Sequence, residues 1–153
     1  MIALDYKHLL EYLLKKKYQA SFQDETNQLC VVFKIDQKEF PLFIRIPEEG
    51  ELLQMVTFIP QNARPTTIAD VSRLLHMFNR ELDLPGFGLN EETGHIFFRC
   101  AIPCVDKKVD ENVLEAFLSS SQVVCKSFSP AIDAIAEGAI TFDALLKKAK
   151  EAK

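Results

Sequence analysis

Apolar residues near the start of the chain recur at helical spacing. Tyr6, Leu9, Leu10, Leu13 and Leu14 share one side of the segment Asp5 to Lys17, and Lys7, His8, Glu11 and Lys15 form the polar stripe opposite. Tyr12 widens the apolar arc beyond a narrow seam, which predicts contacts on more than one side of this helix. The period then drops to two. Leu29, Val31, Phe33 and Ile35 alternate with Cys30, Val32 and Lys34 as a strand does, and Asp36-Gln37-Lys38-Glu39 reads as a turn. A second strand spans Phe40 to Ile46, where Phe40, Leu42, Ile44 and Ile46 form a wholly apolar set. Pro41 has no N–H to give to a ladder, so it belongs at the strand start or on an unpaired edge. Glu48-Glu49-Gly50-Glu51 reads as the next turn, and Leu52 to Ile59 as a third strand ending at Pro60. Short polar connections between the three strands predict an antiparallel meander.

In the second half, Pro65 to Asp70 carries a helix start, with a Thr cap and an acidic residue in the first turn. Ile68, Val71, Leu74, Leu75, Phe78 and Leu82 give the stripe of that helix, which Pro85-Gly86 stops. Phe87 to Asn90 and His95 to Ile102 are short extended runs around the loop Glu91-Glu92-Thr93-Gly94, with Gly94 where a positive φ is expected. From Asp110 the period returns to 3.6. Pro130 predicts a kink or a break there, with Ser129 as the cap of a second helix, and Gly138 ends the run. Phe142, Leu145 and Leu146 mark a short terminal helix leading into a lysine-rich tail. The order is α-β-β-β-α-β-β-α, an α+β domain with one antiparallel sheet packed by helices. Residues 1–138 form the single domain in this reading, and residues 139–153 a short C-terminal helical extension.

Composition narrows the function classes. A chain of 153 residues buries a real core without staples, and 48% hydrophobic with 26% charged residues is a globular balance. The longest apolar runs, such as Leu29 to Phe33, fall far short of the roughly 20 residues a membrane span needs. Asp5 interrupts the stretch that a signal peptide would continue. The expectation is a cytoplasmic protein without membrane insertion, whose four cysteines stay reduced. A net charge of −4 lacks the cationic footprint that phosphate-backbone binding requires, so nucleic acid is not an expected partner. Lys15-Lys16-Lys17 and the terminal lysines read as cations at helix ends.

Candidate chemistry concentrates in NEETGHIFFRCAIPC, Asn90 to Cys104. Cys100 and Cys104 share a strand face roughly 13 Å apart at about 3.3 Å per residue, too far to share a zinc ion. Cys100 reads instead as a small buried hydrophobe beside Ile96, Phe98 and Ile102, with His95, Phe97 and Arg99 on the opposite face. Nothing local activates a thiol, and His76 lies off the apolar stripe of its helix. Glu48-Glu49 and Glu91-Glu92 sit in turns where charge is readily solvated. No nucleophile elbow or phosphate-binding glycine loop occurs. No catalytic residue, metal or cofactor is therefore assigned. What stands out is apolar surplus. Opposite the strands' apolar sets lie Cys30 and Val32, then Phe43, and in the third strand Leu52, Val56 and Phe58 oppose Leu53, Met55 and Ile59. Helices cover both faces, C-terminal segments cover the second face, or an apolar patch is left for a partner or a second copy.

The block HMFNRELDLPGFGLNEETG followed by HIFFRCAIP, with Asn79 before a short strand and Gly94 before a Phe-Arg step, resembles the YbjN family of bacterial sensory transduction regulators. VLEAFLSSSQVVCKSFSPAIDAIAEG, ending at Gly138, is similar to that family's final helix, so the resemblance runs from about Asp5 to Gly138. Members look like class I type III secretion chaperones, small acidic homodimers that hold an extended segment of an effector against an apolar surface. The resemblance thus implies a non-enzymatic protein-interaction module, chaperone-like or regulatory. Its partner would be another protein, and it would be a possible homodimer. The residues assigned to the partner are Val32, Phe43, Val56, Phe58, His95, Phe97 and Arg99. The alternative is a small-ligand-binding or enzymatic domain using the His95/Arg99 face of the 86–102 hairpin.

Overall fold

Period-two alternation builds the centre of the molecule. The computed structural model describes residues 1–47, 50–83 and 86–152. Its elements in chain order are β1 (Ile2–Ala3), α1 (Tyr6–Lys15), β2 (Ala20–Gln23), β3 (Gln28–Ile35), β4 (Lys38–Arg45), β5 (Leu52–Phe58) and α2 (Ile68–Glu81). There follow β6 (Phe87–Leu89), β7 (Ile96–Pro103), a 3-10 turn (Val105–Lys107), β8 (Lys108–Val109), α3 (Glu111–Ala136) and α4 (Phe142–Glu151). Strands β2-β3-β4-β5-β7-β6 form a six-stranded sheet in that spatial order, antiparallel throughout, while β1 and β8 pair as a separate two-stranded ribbon. The expected α+β order stands, with β1, β2 and β8 added to it. Each added strand is two to four residues long, too short to show a period, and is defined by its pairing.

Asp36 and Gln37, at φ 50° and 67°, make the β3–β4 turn by themselves, so β4 begins at Lys38 rather than Phe40. Pro41 lies where β4 pairs with β3 alone, because the ladder to β5 starts at Leu42. The readings placed on Glu48, Glu49 and Pro85 fall outside the described residues. Thr67 precedes α2 but does not cap it. Its hydroxyl donates instead to Ala136 O at 2.8 Å and accepts from Arg64 N–H at 2.9 Å, tying the start of α2 to the end of α3. Asp70, the acidic residue of that first turn, accepts from Phe142 N–H at the start of α4.

The expected break at Pro130 does not occur: α3 runs unbroken for 26 residues, and Ser129 is buried within it. Pro130 and Lys126, whose carbonyl loses its helical partner, both lie on the exposed side, where the freed oxygen is open to solvent. Gly138 does end α3. At φ 81° it lets its own N–H reach Ile135 O and that of Ala139 reach Ala134 O, the paired closure of a left-handed cap.

All the helix–sheet packing is on one side. Leu29, Val31, Leu42, Ile44, Leu53 and Ile96 show no exposed surface, and Leu9, Leu13, Leu74, Leu114 and Leu118 meet them from α1, α2 and α3. Each such side chain contributes about 1.5–3 kcal/mol. The wide arc of α1 is explained by α3, where Glu115 accepts from Tyr12 Oη at 2.7 Å and from Tyr18 Oη at 2.6 Å. Lys38 at the start of β4 pairs with Asp133 of α3 at 2.9 Å, fastening the hairpin tip to the same helix. α4 packs against α2, where Arg73 meets Asp143 at 3.2 Å, and so leaves the far face of the sheet uncovered.

Two outcomes follow from these contacts. A Cβ at Gly94 would stand 2.2 Å from Ala63 O, on a backbone at φ 78°. Gly94→Ala is expected to lose about 2 kcal/mol or more in urea denaturation, from the left-handed conformation and the displaced strand end together. Burial, then the hydrogen bonds to Glu115, push both tyrosines up, Tyr18 to about 12. The folded state keeps its proton where the unfolded chain, at about 10, has lost it. This contribution is complete below about pH 10 and is lost as pH rises through about 12. The chain has three Tyr and no Trp, so tyrosinate absorbance reads this directly. A wild-type minus Tyr18→Phe difference titration should show a midpoint near 12, and a midpoint near 10 contradicts the clamp.

Candidate binding face

Alternation along each strand decides what the uncovered side presents. Antiparallel registers line up Cys30, Phe43, Val56 and Arg99 across β3, β4, β5 and β7. On one side of that row Phe58 stands opposite Phe97, and Phe97 opposite Gly88 of β6, with Val32 opposite Pro41 towards the other edge. On the other side Arg45, Gln54 and Ala101 are aligned. Phe58 is the hub. Its ring centroid lies 5.7 Å from Phe43, 6.1 Å from Phe97 and 6.0 Å from the imidazole of His95, all at steep angles. Edge-to-face rings of this kind hold one another in place. The Arg99 guanidinium sits 5.1 Å from the Phe97 ring centroid. Gly88 permits the arrangement, since a Cβ there would come within 2.5 Å of the Phe97 ring.

Six of the seven residues assigned from the sequence line one shallow groove of about 360 Å³ on this face, and Val32 lies on the same face outside it. Gln28, Arg45, Gln54 and Asn90 line the groove as well and were not singled out. Arg45 was legible, being two positions from Phe43 in the same strand. Gln54 and Asn90 carry no apolar signal and are placed only by the ladder and the turn. Val32, Phe43, Val56, Phe58 and Phe97 are partly exposed, Cys30 is buried between its neighbours, and Arg45, His95 and Arg99 are exposed.

One edge of the sheet is closed by a side chain. Asn79 of α2 donates from Nδ2 to Phe87 O at 3.0 Å, and Phe87 N–H donates to Oδ1 at 2.7 Å. The amide thus occupies a position on β6 that a further strand would use, which blunts that edge and leaves the broad face as the accessible surface.

The cysteines belong to the covered side or are screened by neighbours. Cys100 lies with Ile96, Phe98 and Ile102 under α3, its sulfur 3.9 Å from Ser121 Oγ, and Cys104 donates to Ile102 O at 3.4 Å. Burial pushes all four thiols up, Cys125 to about 12 with Cys100 adding to the effect, so the reactive thiolate is disfavoured. His76 is exposed on α2. His95 and Arg99 flank Phe97 as the alternation indicates. Among the described residues lining their groove there is no carboxylate or thiol to pair with the imidazole. What the groove offers is aromatic surface, amides and two guanidiniums, groups suited to holding a peptide or an anion.

This architecture defines a class: a helix-backed antiparallel sheet of the type III secretion chaperone-like fold. A chain of the ExsC–ExsE complex superposes with a TM-score of 0.59 at 20% identity, over 81% of this chain and 90% of the other. The HopA1–SchA chaperone–effector complex gives a TM-score of 0.56 at 18% identity, over 82% and 93%. The structure described as "YbjN, a putative transcription regulator from E. coli" gives 0.63 at 14% identity, over 90% and 97%. No match is found among curated proteins. Residues 5–134 match the YbjN family model, described as "Putative bacterial sensory transduction regulator", and the chain belongs to that family. No described helix is long and apolar enough to cross a membrane.

Proposed function

We propose that this chain is a non-enzymatic protein-interaction module, chaperone-like or regulatory, that binds a segment of another protein on the open face of its sheet. The observation that carries this reading is the aromatic groove around Phe58, left uncovered by every described helix. An apolar patch of this kind costs solubility unless a partner covers it. A chaperone–effector complex, HopA1–SchA, and the ExsC–ExsE complex, both containing chains of the same fold, support the same reading. Val32, Phe43, Val56, Phe58, His95, Phe97 and Arg99 are the contact residues in this proposal. We assign the role to the cytoplasm, where four unpaired buried thiols are kept reduced. The homodimer implied by the resemblance remains part of the proposal, and light scattering at high micromolar concentration tests it separately, since a strict monomer removes the dimer and leaves the face.

Affinity capture from the native cell, identified by mass spectrometry, tests the face itself. Val56→Asp and Phe43→Ser are expected to reduce a co-purifying protein by about tenfold or more, as buried interface anchors do. Their thermal transitions should stay cooperative and near that of the wild type. Capture of the same proteins in the same amounts by both variants would overturn the proposal.

A further inference from the structure

Charge on the open face runs against the charge of the whole chain. The protein carries a net charge of −4, yet the three aligned rows that make the groove bear Arg45 and Arg99 and no carboxylate. Among the described residues neither arginine forms an ion pair, although other arginines and lysines do. Glu91 and Glu92 line the adjoining depression beside Arg99 at the sheet edge without bridging to it. The two guanidiniums thus stand exposed at the groove, Arg99 against the Phe97 ring and Arg45 beside Gln54.

Their spacing is set by the ladder. Arg45 of β4 and Arg99 of β7 are separated by β5 and by one two-residue step along the strands. With strands about 4.8 Å apart and about 3.4 Å per residue, their Cβ atoms lie roughly 12 Å apart, with Gln54 and Val56 between them. An extended peptide presents side chains i, i+2 and i+4 on one side and spans about 13 Å from i to i+4. Carboxylates at i and i+4 therefore match the two guanidiniums, and an apolar side chain at i+2 falls on β5 between Gln54 and Val56, beside Phe43. Arg–carboxylate pairs are the strong, directional kind of charge-assisted hydrogen bond.

Resting on the proposed protein-binding role, we infer that the partner is an extended acidic segment with the pattern acidic-x-apolar-x-acidic, clamped between Arg45 and Arg99 with its apolar residue against Val56 and Phe43. A second copy of this chain fits the same face less well. Stacking the face on itself would place four guanidiniums against a surface whose rows hold no carboxylate to neutralise them.

The test uses the full chain and fluorescein-labelled peptides Ser-Glu-Ser-Phe-Ser-Glu-Ser, its Lys-for-Glu counterpart, and a respaced peptide with adjacent Glu residues. At about 50 mM salt the spaced Glu peptide should bind about tenfold or more tightly than either control, with the margin shrinking as salt screens it. Arg45→Gln and Arg99→Gln, both at exposed positions, should each cut that preference severalfold with unchanged thermal stability, and Val56→Asp should abolish binding of the spaced peptide. Equal binding of the Glu and Lys peptides, lost on Val56→Asp, overturns the acidic segment and leaves the face as a protein-binding surface. Binding of none of the peptides overturns the inference, while the capture experiment decides the role separately. A dimer in light scattering that Val56→Asp dissolves also overturns it, because the face is then closed by a second copy.

Discussion

A β-strand sends alternate side chains to opposite faces, and the described helices of this chain cover only one of them. The rest of the structure depends on that mismatch. Leu42 and Ile44 of β4 and Leu53 and Met55 of β5 disappear under the helices, each with at most 1% of its surface exposed. Phe43, Val56 and Phe58, interleaved with them in the same two strands, are left facing outward. The register that buries the first set fixes the second, because slipping by one residue would exchange the two faces. The core and the groove are thus consequences of one pairing pattern.

The thiols and two of the tyrosines are buried or engaged elsewhere. The thiols are buried and disfavoured as thiolates, and the tyrosines with raised ionisation are engaged by Glu115 in joining α1 to α3. The open face keeps rings, amides and arginines, most of them fixed on strands, with Asn90 and His95 from the β6–β7 turn. Asn79 closes a position on one sheet edge, so the face rather than that edge is where a partner has room. The YbjN family model spans residues 5–134, and the likeness to solved structures is one of fold.

Much of the fold was legible because long segments carry strong periods. The alternation of β3 to β5, the stripes of α1 and α2, and the positive φ of Gly94 all follow from local sequence. The two faces of β7, Ile96, Phe98 and Cys100 against His95, Phe97 and Arg99, followed from the same alternation. Short strands did not: Ile2–Ala3 exists through Lys108–Val109, distant in sequence, and the four residues Ala20–Gln23, though they form a hairpin with β3, are too few and too mixed to show a period. Thr67, and the break allowed for at Pro130, misled for a related reason. The cap hydroxyl is taken by Ala136 O, and the proline's cost is met at an exposed position, both tertiary facts. On the face itself the apolar members could be read from alternation, whereas joining Arg45 with Arg99 needs the strand order β4-β5-β7.

The most direct measurement is site-specific photo-crosslinking in the native cell, with a photoreactive phenylalanine at position 56 and a control at Glu81, exposed at the end of α2. The expected result is an adduct of position 56 with a different protein that the control position does not form. No adduct at position 56, or an adduct only with a second copy of this chain, would contradict a partner-binding open face.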